Sequence, residues 1–129
     1  MIGPVLVDSD ILIELLRGRN AEIVERWIEL ARTNVLVAYS PVSSAEIWRG
    51  ARSPEADAIT ALFAALTCIP IDAVIGRRAG EYLARFHASH AMEIGDALIA
   101  ATASVHALRL WTRNRKHIPM RDVHHFRPE

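Results

Sequence analysis

The sequence is poor in cysteine and lysine, carries no net charge and has no long apolar run. Cys68 is the single cysteine, which excludes an intramolecular disulfide and favours a reducing compartment. Fifteen Lys plus Arg balance fifteen Asp plus Glu, so any nucleic-acid binding must come from a local patch. The N-terminus lacks signal-peptide features, and no run approaches the roughly 20 residues that span a bilayer. We expect a soluble, cytoplasmic protein with no membrane partner.

The composition that is present is that of a globular chain. Its 129 residues are 51% hydrophobic and 23% charged, which predicts one domain, residues 1–129, with a packed core. Lys116 is the only lysine, and the other fourteen basic residues are arginines, whose planar groups bind phosphates bidentately. Cys68 lies in an apolar run, where a small buried thiol is expected.

Short apolar runs alternate with longer amphipathic segments along the whole chain. This pattern predicts an α/β fold: a central parallel sheet of about four or five short strands, with helices on both faces. The segment 87–94 reads as an irregular connection. The predicted strands are 4–7, 35–39, 68–71, 109–112 and, as a fifth, 123–126; the predicted helices are 11–17, 21–32, 43–49, 54–66, 73–87 and 95–108.

Three acids stand where ligands collect in such a sheet, beyond the carboxyl ends of its strands. Asp8 ends the first strand, Glu46 lies in the helix after the second, and Asp96 lies in the first turn of the helix before the fourth. Three carboxylates in one crevice would repel one another unless a divalent cation lay between them. The pattern therefore indicates a metal site.

Each acid also has a purely structural interpretation. Asp8 is a good helix N-cap, although Asp10, directly before an apolar helix, is the better candidate for that cap. Ser43 and Glu46 match the spacing of a capping box. Asp96 suits the positive end of a helix dipole. The three acids taken together carry the functional interpretation.

Four segments together resemble the successive motifs of PIN-domain ribonucleases, specifically the VapC toxins of bacterial toxin–antitoxin pairs. The resemblance extends over residues 5–118, with the motifs in order and at the usual spacing. The segments are VLVDSDILI at 5–13, SPVSSAEIWRG at 40–50, GDALIAATA at 95–103 and LWTRN at 110–114.

This resemblance implies a PIN-like domain with a Mg²⁺-dependent acidic site, Mn²⁺ being an alternative. It implies a homodimeric endoribonuclease that cuts RNA and is neutralised by a cognate VapB-like antitoxin. Asp8, Glu46 and Asp96 fall on the family's catalytic acids, with Asp8 and Asp96 as the metal pair, and Thr112 falls on a small polar residue of the same pocket. Asn114 stands at one place where family members often carry a fourth acid, and this neutral residue would hold a second metal more weakly.

The expected chemistry is hydrolysis of a phosphodiester by a metal-activated water, without a covalent protein intermediate. Glu46, the longest of the three acids, is our choice to orient that water. Ser9 is a supporting residue, either as a hydrogen-bond donor to a neighbouring carboxylate or as a local cap. We expect the basic residues that follow the fourth strand to bind substrate phosphates: Arg113, Arg115 and Lys116. The same charges would be explained equally well by a solvated loop.

Other functions remain open at this level. A PIN-like module that has lost activity with its fourth acid, at Asn114 or His117, would survive as a binding protein. A phosphorelay receiver domain fits less well: the predicted strand 35–39 is followed by Ser40 and the predicted strand 68–71 by Asp72, and Lys116 is poorly placed to be the late lysine of such a domain. Five apolar residues either belong to the hydrophobic core or form an exposed groove that binds an antitoxin helix: Trp27, Ile28, Trp48, Leu62 and Phe63.

Overall fold

The computed structural model describes residues 3–127, so the predicted domain limits at 1–2 and 128–129 lie outside the described residues. A four-stranded parallel sheet has the order β3-β2-β1-β4. Its elements are β1 (Val5–Val7), α1 (Ser9–Arg17), α2 (Ala21–Ala31), β2 (Val37–Tyr39), α3 (Pro41–Arg49), a 3-10 turn (Ser53–Glu55), α4 (Ala56–Ala64), β3 (Thr67–Cys68), α5 (Ala73–His90), α6 (Ile94–Val105), β4 (Arg109–Trp111) and a 3-10 turn (Arg115–His117).

Strand β1 lies at the centre and pairs in parallel with both β2 and β4. Its three residues are fully buried, as expected for a strand covered by helices on both sides. The predicted strand 123–126 is wrong, because a single isolated bridge joins Leu110 to His125 there. The sheet therefore has four strands within the described residues.

Side chains of the central strands alternate between two cores. Leu6 and Leu110 face a core built mainly from α5 and the alanine-rich α6. Val5, Val7 and Trp111 face the core formed with α1 to α4. The expectation of helices on both faces of a parallel sheet is confirmed.

The end of α5 differs from the prediction. The segment 87–94 is not irregular throughout: the helix continues to His90 and ends at Ala91, which adopts the left-handed conformation with φ of 51°. No glycine or proline interrupts the sequence there, and the buried Met92 anchors the short connection. A left-handed alanine is a strained stop that composition alone does not signal.

Two further expectations about burial and membrane contact can be compared with the structure. Cys68 is exposed rather than buried, because β3 is a two-residue strand at the edge of the sheet. Within residues 3–127, no helix combines the length and the apolar character needed to cross a bilayer.

Candidate acidic site at the carboxyl end of the sheet

The three predicted acids line one open cavity of about 720 Å³. The parallel order of the sheet explains this placement, since the carboxyl ends of β1, β2 and β4 lie at the same edge. Asp8 follows β1, Glu46 lies in the helix after β2, and Asp96 lies in the first turn of α6. The complete lining is Asp8, Ser9, Asp10, Glu46, Ala91, Glu93, Gly95, Asp96, Ile99, Arg113, Asn114 and His117.

Asp8 is the most buried of these acids, with only 8% of its surface exposed. It is also the N-cap of α1, since its Oδ1 accepts the Ser9 amide at 2.7 Å. The prediction that Asp10 caps this helix is wrong, because α1 begins two residues earlier. The second oxygen, Oδ2, accepts the Thr112 hydroxyl at 2.8 Å. Capping and a place in the cavity are therefore compatible in one residue.

The environment of Asp8 disfavours its ionised form. Burial, followed by the negative charge of Asp10, raises the pKa of Asp8 to about 6, although the hydrogen bonds from Thr112 and Ser9 act in the opposite direction. Glu46 adds a smaller contribution of the same sign as Asp10. A carboxyl group that is buried among other carboxylates is characteristic of functional sites.

Asp10 is a cavity residue that the sequence analysis treated only as a cap. Its Oδ2 accepts the Arg113 amide at 2.9 Å, which ties α1 to the loop after β4. Its Oδ1 is buried and has no hydrogen-bond partner within residues 3–127. Burial raises the pKa of Asp10 as well. The sequence signal that could have identified Asp10 as a site residue is its position two residues after Asp8, at the end of a buried strand.

Glu46 is held from the first helix. Ser9 Oγ lies 2.8 Å from Glu46 Oε1 and 2.9 Å from Ser43 Oγ. A hydroxyl carries one proton and an ionised carboxylate only accepts, so Ser9 donates to Glu46. The supporting contact expected for Ser9 is thus present in the structure.

The capping-box interpretation of Glu46 is wrong. Helix α3 begins at Pro41, and Ser40 is its N-cap, with the Ser40 hydroxyl accepting the Val42 amide at 3.1 Å. Glu46 therefore lies in the middle of the helix, free of any capping role. Proline at the first helical position explains the earlier start.

Asp96 caps its own helix and also faces the loop after β4. Its Oδ2 accepts the Glu93 amide at 3.0 Å, so the first-turn role is real. Its Oδ1 accepts the Asn114 side-chain amide at 3.4 Å. The Asn114 backbone amide in turn donates to Thr112 Oγ1 at 3.0 Å. Thr112 and Asn114 thus connect Asp8 to Asp96 through neutral groups.

The three basic residues assigned to substrate take different positions. Arg113 lines the cavity, and its Nη1 lies 3.5 Å from Glu14 Oε1. The Arg115 guanidinium donates to the Phe126 carbonyl at 3.3 Å. Lys116 is exposed in the adjacent turn. Only Arg113 of the three reaches the cavity wall.

The donor set fits a hard divalent cation. The cavity wall carries five carboxylates and one guanidinium, and the donors that hold Asp8 and Asp96 from Thr112 and Asn114 are neutral. Within residues 3–127, no three His, Cys, Asp or Glu side chains converge closely enough to hold a metal jointly. Mg²⁺ usually keeps several waters and is held by one or two carboxylates, so two acids of this wall would match its ordinary donor set.

Comparisons with known proteins agree with this arrangement. The sequence profile of the PIN domain matches residues 5–123. Ribonuclease VapC10 of Mycobacterium tuberculosis is 44% identical over 117 residues, which cover 90% of this chain and 86% of that protein. Ribonuclease VapC19 of the same organism is 34% identical over 116 residues, which cover 89% of this chain and 92% of that protein.

A solved structure shows the same fold. The structure of VapBC2 from Rickettsia felis, bound to a DNA fragment from their promoter, matches with a TM-score of 0.82 at 19% identity and covers 98% of both chains. The resemblance inferred from the four motifs is confirmed. The chain therefore belongs to the PIN domain family, within the group of VapC ribonucleases.

Proposed function

We propose that this protein is a Mg²⁺-dependent endoribonuclease toxin that hydrolyses RNA phosphodiester bonds and is neutralised by a cognate antitoxin. Mn²⁺ is the alternative metal. The observation that carries the proposal is the single cavity lined by Asp8, Glu46 and Asp96, with no lysine and one arginine on its wall. The proposed location is the cytoplasm.

Asp8 and Asp96 are the residues proposed to hold the cation. Asp8 ends the central strand and Asp96 begins α6, so both are fixed by backbone as well as by side-chain hydrogen bonds. When bound, a divalent cation supplies Lewis-acid activation of water and of a phosphoryl oxygen. Asn114 adds a neutral group where family members often carry a fourth acid, so a second cation would bind more weakly.

Glu46 is proposed to orient the attacking water and to accept its proton. Its carboxylate is exposed enough to reach the cavity, and the Ser9 hydroxyl holds one of its oxygens. Thr112, directly after β4, fixes the rotamer of Asp8, and Asn114 fixes that of Asp96. Each carboxylate thus has a neutral partner that positions it without cancelling its charge.

Arg113, Arg115 and Lys116 are proposed to bind phosphates that flank the reacting bond. Arg113 lies on the cavity wall, whereas Lys116 is exposed in the next turn. Contacts of this kind position a strand without reading its sequence. Because the Arg115 guanidinium donates to the Phe126 carbonyl, we expect Arg115 to contribute less to phosphate binding.

The antitoxin is proposed to dock on an apolar groove across α2, α3 and α4. Ile28 on α2 and Trp48 on α3 are 42% and 41% exposed, so both can contribute apolar surface to an interface. The groove consists of these two and three half-buried neighbours: Trp27, Leu62 and Phe63. A solved toxin–antitoxin complex from Klebsiella pneumoniae contains a chain that matches this one with a TM-score of 0.73 at 26% identity, which supports this partner class.

The docking proposal is tested by co-purification with the protein encoded beside this gene. Trp48→Ala should weaken capture, whereas Val74→Ala, an exposed apolar residue on α5, should not. Equal capture by both variants would refute the groove. The homodimer proposed from the family resemblance is tested separately, by sedimentation of the wild-type protein alone.

The nuclease proposal is tested by incubating purified protein with total cellular RNA in Mg²⁺, in Mn²⁺ and in EDTA. Wild type should release discrete fragments only with metal, and Asp96→Asn should release none. Asp57→Asn, at an exposed acid in the first turn of α4, is the matched control and should cut like wild type. Absence of cleavage by well-folded wild type under every condition would favour the inactive binding module instead.

A further inference from the structure

His117 lies on the wall of the acidic cavity and has no role in the proposed chemistry so far. It ends the short 3-10 turn after β4. Its Nδ1 lies 2.6 Å from the carbonyl oxygen of His90. A carbonyl oxygen only accepts hydrogen bonds, so Nδ1 carries the proton in this contact.

The His90 carbonyl is a fixed anchor for the ring. His90 is the last residue of α5, and carbonyls in a final helical turn lack partners inside the helix. Ala91 then leaves the helix in the left-handed conformation. The imidazole of His117 therefore satisfies an otherwise unpaired backbone group, and its orientation is set by the end of α5.

The second ring nitrogen of His117 is available to a ligand. Within residues 3–127, Nε2 has no hydrogen-bond partner and is not among the buried atoms that lack one, so it is open to solvent. A neutral imidazole that donates from Nδ1 offers only a lone pair at Nε2. The atom facing a ligand is thus a hydrogen-bond acceptor.

In a nucleic acid such an acceptor can pair with N–H groups of the bases, which RNA and DNA share, or with a donor of the sugar–phosphate backbone. Phosphodiester oxygens and the carboxylates on the cavity wall are acceptors themselves and cannot donate to Nε2. In the sugar–phosphate backbone of a nucleic acid, the ribose 2′-hydroxyl is the only internal donor, and DNA lacks it.

We propose that His117 accepts a hydrogen bond from a ribose 2′-hydroxyl and thereby makes the site select RNA over DNA. This inference rests on the proposed nuclease function. It assigns His117 to direct contact with substrate, and it gives the His90 carbonyl the role of positioning the ring.

The test uses two randomised single-stranded 20-mers of the same design, one RNA and one DNA, at pH 8, where an ordinary imidazole is neutral. The readout is the ratio of Ki for the DNA pool, used as an unlabelled competitor, to KM for the labelled RNA pool. His117→Asn retains an amide that can donate to the His90 carbonyl but lacks the second nitrogen. His87→Asn is the matched control, because the His87 Nδ1 contacts the Met92 carbonyl at 2.7 Å and the residue lies outside the cavity lining.

We expect the ratio to fall by about 3- to 10-fold in His117→Asn, the value of one hydrogen bond, and to be unchanged in His87→Asn. An unchanged ratio in His117→Asn would overturn the inference and leave the nuclease function standing. If wild type cuts neither pool, the nuclease proposal fails. The affinities of wild type and His117→Asn for both pools, measured by fluorescence anisotropy, then test the inference by itself. A preference of wild type for RNA that is lost in His117→Asn would then support it, and equal affinities of wild type for the two pools would overturn it.

Discussion

Two clusters of this protein place a hydroxyl against a carboxylate, one in the cavity and one on the other side of the sheet. In the cavity, Thr112 donates to Asp8 at 2.8 Å. Beside α5, Tyr82 donates to Asp122 at 2.7 Å and lies 2.7 Å from Ser104 Oγ. The hydrogen bonds have nearly the same length, yet the surroundings differ in charge.

The difference lies in what else each carboxylate faces. Asp8 is buried beside Asp10 and Glu46, and its pKa rises to about 6. In the other cluster, burial raises the pKa of Tyr82 to about 12, which keeps its proton in place, and Arg78 donates to Ser104 at 3.3 Å. Uncompensated negative charge at an open cavity, rather than the hydrogen bond itself, therefore distinguishes a candidate site from a structural contact.

The largest expected effect is on cleavage by Asp8→Asn. Removal of this negative charge should lower the rate by roughly 10³-fold, since loss of cation binding costs several kcal/mol of transition-state stabilisation. The measurement is the initial rate on the RNA species that wild type cuts. Asp122→Asn, the corresponding change in the other cluster, should cut normally, and a comparable loss there would remove the distinction between the clusters.

The second expected effect of Asp8→Asn is on stability: the substitution that lowers activity should raise the free energy of unfolding at neutral pH. The folded-state pKa of Asp8 is about 6 against an ordinary value of 3.8, so the folded state binds the proton more tightly than the unfolded chain. The stabilisation from protonated Asp8 is therefore present below about pH 4 and is lost as pH rises through 6, a fall of about 3 kcal/mol.

Asp8→Asn should abolish this fall and be more stable than wild type at pH 7 without metal. Urea unfolding in EDTA at pH 4.5 and pH 7 measures the part of this fall that lies between those two pH values, about 2 kcal/mol in the metal-free wild type. The raised pKa of Asp10 contributes a residual slope of the same sign in both proteins. A loss of stability with pH in Asp8→Asn that equals or exceeds that of wild type would contradict this account.

A smaller effect is expected when Glu46 loses its orienting partner. Ser9→Ala removes the hydroxyl that holds Glu46 at 2.8 Å, and the cleavage rate should fall about 10- to 100-fold, as for other groups that orient a reactive carboxylate. Ser44→Ala, in the same turn of α3 as Ser43, is the control. Equal rates in the two variants would show that Glu46 needs no such support.

The smallest effect belongs to the structural cluster. Tyr82→Phe should lower the free energy of unfolding by about 1 kcal/mol, because Asp122 is exposed and water replaces the lost hydroxyl. Cleavage should be unchanged. A loss of activity without loss of stability would show that this cluster takes part in function after all.

Much of the fold was predictable because its signals are local. Short apolar runs predicted all four strands to within a few residues, and their alternation with helices indicated a parallel sheet. Asp8, Glu46 and Asp96 were found together because strand ends converge in this topology. The predicted helix starts at 21 and 73 are correct, whereas α1 and α3 begin two residues before their predicted starts.

The errors have physical causes that composition does not reveal. Helix α5 ends at a left-handed alanine, and the sequence has no glycine there that would indicate a helix end. Asp8 and Asp10 are both capable caps, and the choice between them depends on where α1 meets β4. The contact of Asp10 with the Arg113 amide joins residues 103 positions apart, which no local pattern predicts.

The site is assembled from both ends of the chain, and this has a consequence for synthesis on the ribosome. Asp8 is among the first residues made, whereas its partner Thr112 lies 104 positions later. A nascent chain that ends before Arg109 lacks β4, the Thr112 hydroxyl that supports Asp8 and the link from Asn114 to Asp96. The acidic cavity therefore takes its final form only after β4 has been translated. In a toxin with this architecture the site is completed late, when most of the sheet and helices have already been synthesised and can contact a partner.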